Sequence, residues 1–186
     1  MTPLVLLAAC GAASTVRLDI SPPATIGFRF SDTRPSSDRE PEQRRLSIGQ
    51  EIALGDNAIA PRPPDLVRSW LAREAATSLA GKAVELRRFR IEVSVPDGAV
   101  DEARFASSAN SVPGANPVSV GLAKLFMGGI ESSRTTKTVM VYLSVSVDGK
   151  EVENNTARAF SGRVSEANIQ ETILAALEGI SRKLNG

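Results

Sequence analysis

The chain has 186 residues, 42% of them hydrophobic and 23% charged, which is the makeup of one ordinary globular domain or a domain with a tail. Lys and Arg number 22 against 21 Asp and Glu, and a formal net charge of +1 provides no field to gather nucleic acid. There is no histidine and one cysteine, Cys10, so the commonest general base and metal ligand is missing and no internal disulfide or thiolate cluster can form.

The N-terminus carries the strongest signal. Residues 4–9 are apolar and lead into Leu7-Ala8-Ala9-Cys10. A branched residue, two small residues and then Cys resembles the lipobox of bacterial lipoproteins. In that family the Cys thiol is acylated and the chain is cut before it. The resemblance implies a signal peptide over residues 1–9, lipid on Cys10 and a lipidated tether over 10–23. Several acyl chains together anchor stably, because each buried CH₂ contributes about 0.8 kcal/mol. Gly11 stands where an Asp would favour inner-membrane retention, so the same resemblance implies the periplasmic face of the outer membrane. No Lys or Arg precedes Cys10, and the apolar run is shorter than a usual signal core. No stretch of 18 apolar residues exists to span a membrane as a helix.

Val16, Leu18 and Ile20 alternate with polar residues, which predicts a short edge strand ended by Pro22-Pro23. Ile26, Phe28 and Phe30 share a face in a second strand. Residues 31–45, rich in charge and holding Pro35 and Pro41, read as an exposed loop. A further short strand is expected over 46–54. A helix should start at Pro64-Asp65, with Leu66, Val67, Trp70, Leu71, Ala75 and Leu79 on one stripe and Gly81 as its stop. Trp70 reads as a core anchor. Residues 84–95 read as a strand with a bulge near Arg87, where the inward parity changes.

Residues 96–137 read as an insertion. Within it, residues 118–130 form an apolar run. If this run is helical, Val118, Leu122, Leu125 and Phe126 lie near one face. That face would touch a partner or a membrane surface, or else pack on the domain's own core. Residues 138–147 are the clearest strand. Asp148-Gly149 predicts a type I′ turn, and the return strand covers 151–161. The last helix should start at Ser165, with Val164 and Ile169 as a hydrophobic staple and Ile173, Leu177, Ile180 and Leu184 on the buried stripe. The expected fold is α+β: a two-layer sandwich, mostly antiparallel sheet with two amphipathic helices on one face, forming a single domain over 24–186.

No G-x-S-x-G elbow, phosphate loop or zinc motif appears, so no catalytic residue, metal or cofactor is expected. Asp32, Asp38, Glu40 and Glu42 lie among Arg34, Arg39, Arg44 and Arg45, which reads as solvated mixed charge. Arg87, Arg88 and Arg90 suggest either a basic patch or a solvated sheet face.

The order of these elements, from Val16-Arg17-Leu18-Asp19-Ile20-Ser21-Pro22-Pro23 through the Trp70 helix and the Thr138 hairpin to the Ser165 helix, resembles the YajG-like lipoproteins. The run Ala157-Arg158-Ala159-Phe160-Ser161-Gly162-Arg163-Val164 is similar in kind. That resemblance implies no enzyme. A broader similarity to small periplasmic lipoproteins that are accessory subunits of transport or envelope-assembly machines implies a lipid-anchored accessory or binding subunit, with an envelope protein as partner. Two other readings stand beside it. One is a periplasmic serine hydrolase, which would need a base beside a serine in a pocket. The other is a structural lipoprotein forming homo-oligomers through an exposed strand edge.

Overall fold

The computed structural model describes residues 15–21, 25–46, 49–96, 136–162 and 164–186. Its centre is a long antiparallel meander. β6 (Ala83–Pro96) pairs with β7 (Thr136–Val147), which turns at Asp148-Gly149 into β8 (Lys150–Ser161). Val and Ile at alternate positions favour extended backbone and put one row of apolar side chains on one face. Phe89, Ile91, Val93 and Val95 of β6 join Val139, Val141, Leu143 and Val145 of β7 in that row. The register shifts between Leu86 and Arg88, so Val84 and Leu86 reach the same core despite their opposite parity.

Two elements share the far edge of β6. β4 (Gly49–Leu54) runs antiparallel beside Ile91 to Pro96, and β3 (Glu42–Leu46) continues outward from β4. β2 (Arg29–Asp32) runs parallel beside Ala83 to Leu86. The sheet therefore has six strands, all antiparallel except for β2.

One face of this sheet is covered by helices. α1 (Pro63–Glu74) begins with two prolines, where a missing N–H costs nothing. It buries Leu66, Val67, Trp70 and Leu71. A short α2 (Ala76–Leu79) follows a break at Ala75, and the chain turns at Gly81 with φ of 73°. The expected single helix to Gly81 is thus two pieces. α3 (Glu166–Asn185) opens with a capping box in which Ser165 and Asn168 exchange hydrogen bonds. Its Ile169, Ile173, Leu177 and Ile180 are almost wholly buried, each worth about 1.5–3 kcal/mol of transfer free energy. Val164 and Ile169 are both buried where a staple places them. The architecture is the α+β sandwich expected.

Two further expectations are corrected. Residues 16–20 are not tether. Val16, Leu18 and Ile20 are buried in the main core, and β1 (Val16–Arg17) pairs in parallel with β5 (Ile59–Ala60). Residues 31–45 are not an irregular loop. Most of these residues are exposed as expected, but they are ordered into the end of β2, a 3₁₀ turn over Ser36–Asp38 and most of β3, with Arg34 and Asp38 buried.

Candidate functional site

The sheet face opposite the helices is polar. Alternation along the strands places Arg88, Arg90, Glu92 and Ser94 of β6 there, beside Met140, Tyr142, Ser144 and Ser146 of β7. Glu42 and Arg44 of β3 and Glu51 of β4 extend it. The 3₁₀ turn lies over its centre.

Two arginines organise this face. The Arg34 side chain is fully buried, and its guanidinium donates four hydrogen bonds of 2.9 Å, two to Asp32 and two to Asp56. Such paired forks are the strong form of the charge-assisted bond. Burial works against the Arg34 charge, but the hydrogen bonds it donates to Asp32 and Asp56 more than offset it and its pKa is raised. Burial likewise pushes Asp32 up, yet the hydrogen bonds and charge of Arg34 leave it lowered. Arg39 donates to the Arg34 carbonyl at 2.8 Å, which fastens the 3₁₀ turn to this knot.

Arg90 is the second organiser. It donates to Glu92, to Glu42 at 2.9 Å and to the Ser37 carbonyl at 2.6 Å. Hydrogen bonds from Arg44 and Arg90 hold the Glu42 carboxylate down at about 2. Of the three clustered arginines, Arg90 is thus internal, Arg87 pairs with Glu85, and Arg88 lies exposed with its guanidinium 4.5 Å from the Tyr142 ring centroid. A cation over an aromatic face is attracted by the ring quadrupole.

Asp38 differs from its neighbours. It is buried on the 3₁₀ turn, and its Oδ2 has no hydrogen-bond partner. Burial raises its pKa against the pull of Arg88, Arg90 and Arg34.

A shallow groove of about 350 Å³ lies on the helical side, lined by Trp70, Glu74, Glu178, Ser181, Arg182 and Asn185. Trp70 Nε1 donates to Ser181 Oγ at 2.9 Å, and Asn185 bridges to Ser78 and the Glu74 carbonyl. Ser181 and Ser78 are thus held in structural bonds. Ser144 donates to Glu151 at 2.6 Å and is buried on the sheet. Among the described residues no three His, Cys, Asp or Glu side chains converge as metal ligands. No described helix is long and apolar enough to cross a membrane.

Cys10 and the apolar residues Leu122, Leu125 and Phe126, singled out from sequence, lie outside the described residues. The Arg34 and Arg90 knots were not foreseen as structure. The nearest signal was the mixture of opposite charges at 32–45, which by itself does not separate a solvated loop from a paired interior. Comparison with protein-family models, curated proteins and solved structures found no match to this chain.

Proposed function

We propose that this chain is a non-catalytic binding subunit of the bacterial envelope, held by lipid on Cys10 at the periplasmic face of the outer membrane. It would serve a transport or envelope-assembly system, in the manner implied by its broader similarity to small periplasmic accessory lipoproteins. The lipobox Leu7-Ala8-Ala9-Cys10 supports the address. The polar sheet face supports the binding role, and its internal pairing is the observation that carries it. Arg34 and Arg90 direct their donors to Asp32, Asp56, Glu42, Glu92 and a backbone carbonyl. Charges fixed this way make a rigid platform. What the platform offers outward is Arg88 stacked on Tyr142, an arginine–aromatic pair of the type enriched at protein interfaces.

The test compares the wild-type gene, with its native upstream region, to Cys10→Ser by metabolic lipid labelling and membrane fractionation. Labelling and outer-membrane recovery that vanish in Cys10→Ser support the reading. A wild-type protein that takes no lipid and stays in the soluble fraction refutes it.

A further inference from the structure

The sheet ends at β8 on one side and at β3 and the short β2 on the other, and these edges are defended unequally. β3 has five residues and carries Glu42, Arg44 and Arg45. β8 has 12 residues, no proline and no register break against β7. A row of unpaired N–H and C=O groups templates strand addition, which is why natural sheets blunt their edges with shortness, charge, proline or bulges.

The hairpin decides which groups of β8 point outward. Asp148 and Gly149 both have positive φ, 49° and 83°, and form a two-residue turn between Val147 and Lys150. The pair flanking such a turn exchanges hydrogen bonds, and bonded pairs then recur at every second position. The inward groups therefore belong to Lys150, Val152, Asn154, Thr156, Arg158 and Phe160. The outward groups belong to Glu151, Glu153, Asn155, Ala157, Ala159 and Ser161. The Lys183 ammonium donates to the Glu153 carbonyl, in keeping with this alternation, and so covers the edge at that end. Among the described residues, no backbone bond reaches the outward groups of Asn155, Ala157, Ala159 or Ser161.

We propose that this uncovered half of β8 is a self-association site, which pairs antiparallel with β8 of a second copy about a two-fold axis at Ala157. The register follows from charge and from Lys183. An axis at Thr156 or Asn155 sets Glu153 opposite Ala159 or Ala157, inside the central ladder, although its carbonyl is already taken; an axis at Ala157 moves Glu153 out to the end of the ladder, opposite Ser161, beyond the three central pairs. An axis at Arg158 sets two arginines directly opposite each other, which is destabilising. An axis at Ala157 sets Asn155 against Ala159 and Arg158 against the neutral Thr156. Arg158 keeps its pairing with Glu171 of its own α3.

On the open face, Asn155, Ala157 and Ala159 are small and exposed, so two sheets meet there without steric obstruction. The seam would hold about six main-chain hydrogen bonds. It has no deep pocket to select a foreign side chain. A second copy instead brings a strand already ordered, with the same twist and the same small residues, and avoids the entropy of ordering a flexible peptide. The contact is isologous and closes at two copies. It does not depend on lipid at Cys10.

The test uses the full chain carrying Cys10→Ser. Sedimentation equilibrium from about 10 µM to about 1 mM should show a monomer–dimer equilibrium, the range suited to a small interface. Ala157→Pro removes an N–H that lies outside the β7 ladder, so circular dichroism should stay native while Kd rises at least about tenfold. In the same background, Ala157→Cys carries the only thiol and should form a disulfide dimer under mild oxidation. Asn155→Cys, whose twin lies off the axis, should cross-link at least about tenfold more slowly. A monomer at every concentration overturns the proposal, as does a dimer indifferent to Ala157→Pro or equal cross-linking at the two positions.

Discussion

Replacing Arg34 with methionine should be among the most damaging single changes on the polar side of the sheet. Methionine keeps the unbranched stem but leaves Asp32 and Asp56 facing each other without their shared cation. Breaking a fully buried pair costs about 3–5 kcal/mol. Here the side chains of Asp32 and Asp56 retain 21% and 20% exposure, so water relieves part of the repulsion. The expected loss is at the lower end, about 3 kcal/mol. Trp70 is the only tryptophan and is buried against α3, so its emission reports unfolding in a urea titration. Adding Asp32→Asn and Asp56→Asn to Arg34→Met should recover about 2 kcal/mol, because the uncompensated charge is then gone. A loss below about 1 kcal/mol for Arg34→Met would show that the knot is screened by solvent and that the interior-pair argument is wrong.

Three further outcomes are expected. Glu42 is held at about 2 against 4.5 for a free carboxyl, so its contribution is present above pH 4.5 and is lost as pH falls towards 2; Glu42→Gln should flatten the acid limb of stability against pH, and an unchanged limb would refute this. Asp38 is shifted the other way, so its burial costs stability as pH rises above 3.8, and Asp38→Asn should raise the urea midpoint at pH 7 while leaving it unchanged at pH 2. A lower midpoint at pH 7 would mean that the neighbouring arginines outweigh desolvation. A Cβ on Gly179 would lie 2.3 Å from Asn154 Nδ2, whose amide bonds the Ala176 carbonyl and Thr156, so Gly179→Ala should cost about 1–3 kcal/mol and Asn154→Ala should restore most of it, as read by thermal melts.

The layered fold was legible because its signals are local. Period-two valines in β7, the Asp148-Gly149 turn, the parity change at Arg87 and the Ser165 cap each act within a few residues. Most of the misreadings concern long-range partners. Arg34 and Asp56 are 22 residues apart, and Arg90 and Glu42 are 48 apart. Nothing in the pattern at 31–45 says that these charges will find one another. The alternation from Val16 predicts an edge strand, yet Val16 pairs with Ile59, 43 positions away, in a two-strand parallel piece of its own. The end of the Trp70 helix at Glu74 was equally hidden, since Ala75 to Leu79 continue the apolar stripe. The residues tied to membrane attachment and to the apolar insertion lie outside the described part. The polar face and its knots, in turn, came from the structure.

The way residues 15–20 are fastened has a mechanical consequence. The Arg17 N–H donates to Glu166 in the first turn of α3, Gln170 donates to the Arg17 carbonyl, and the Leu18 N–H donates to the Ala60 carbonyl. A pull on the chain upstream of Val16 is therefore shared between the start of a 20-residue helix and a separate parallel strand pair. None of these three bonds is made to an edge of the six-stranded sheet, so a load carried through them is taken first by the helix and the small strand pair rather than by the main sheet.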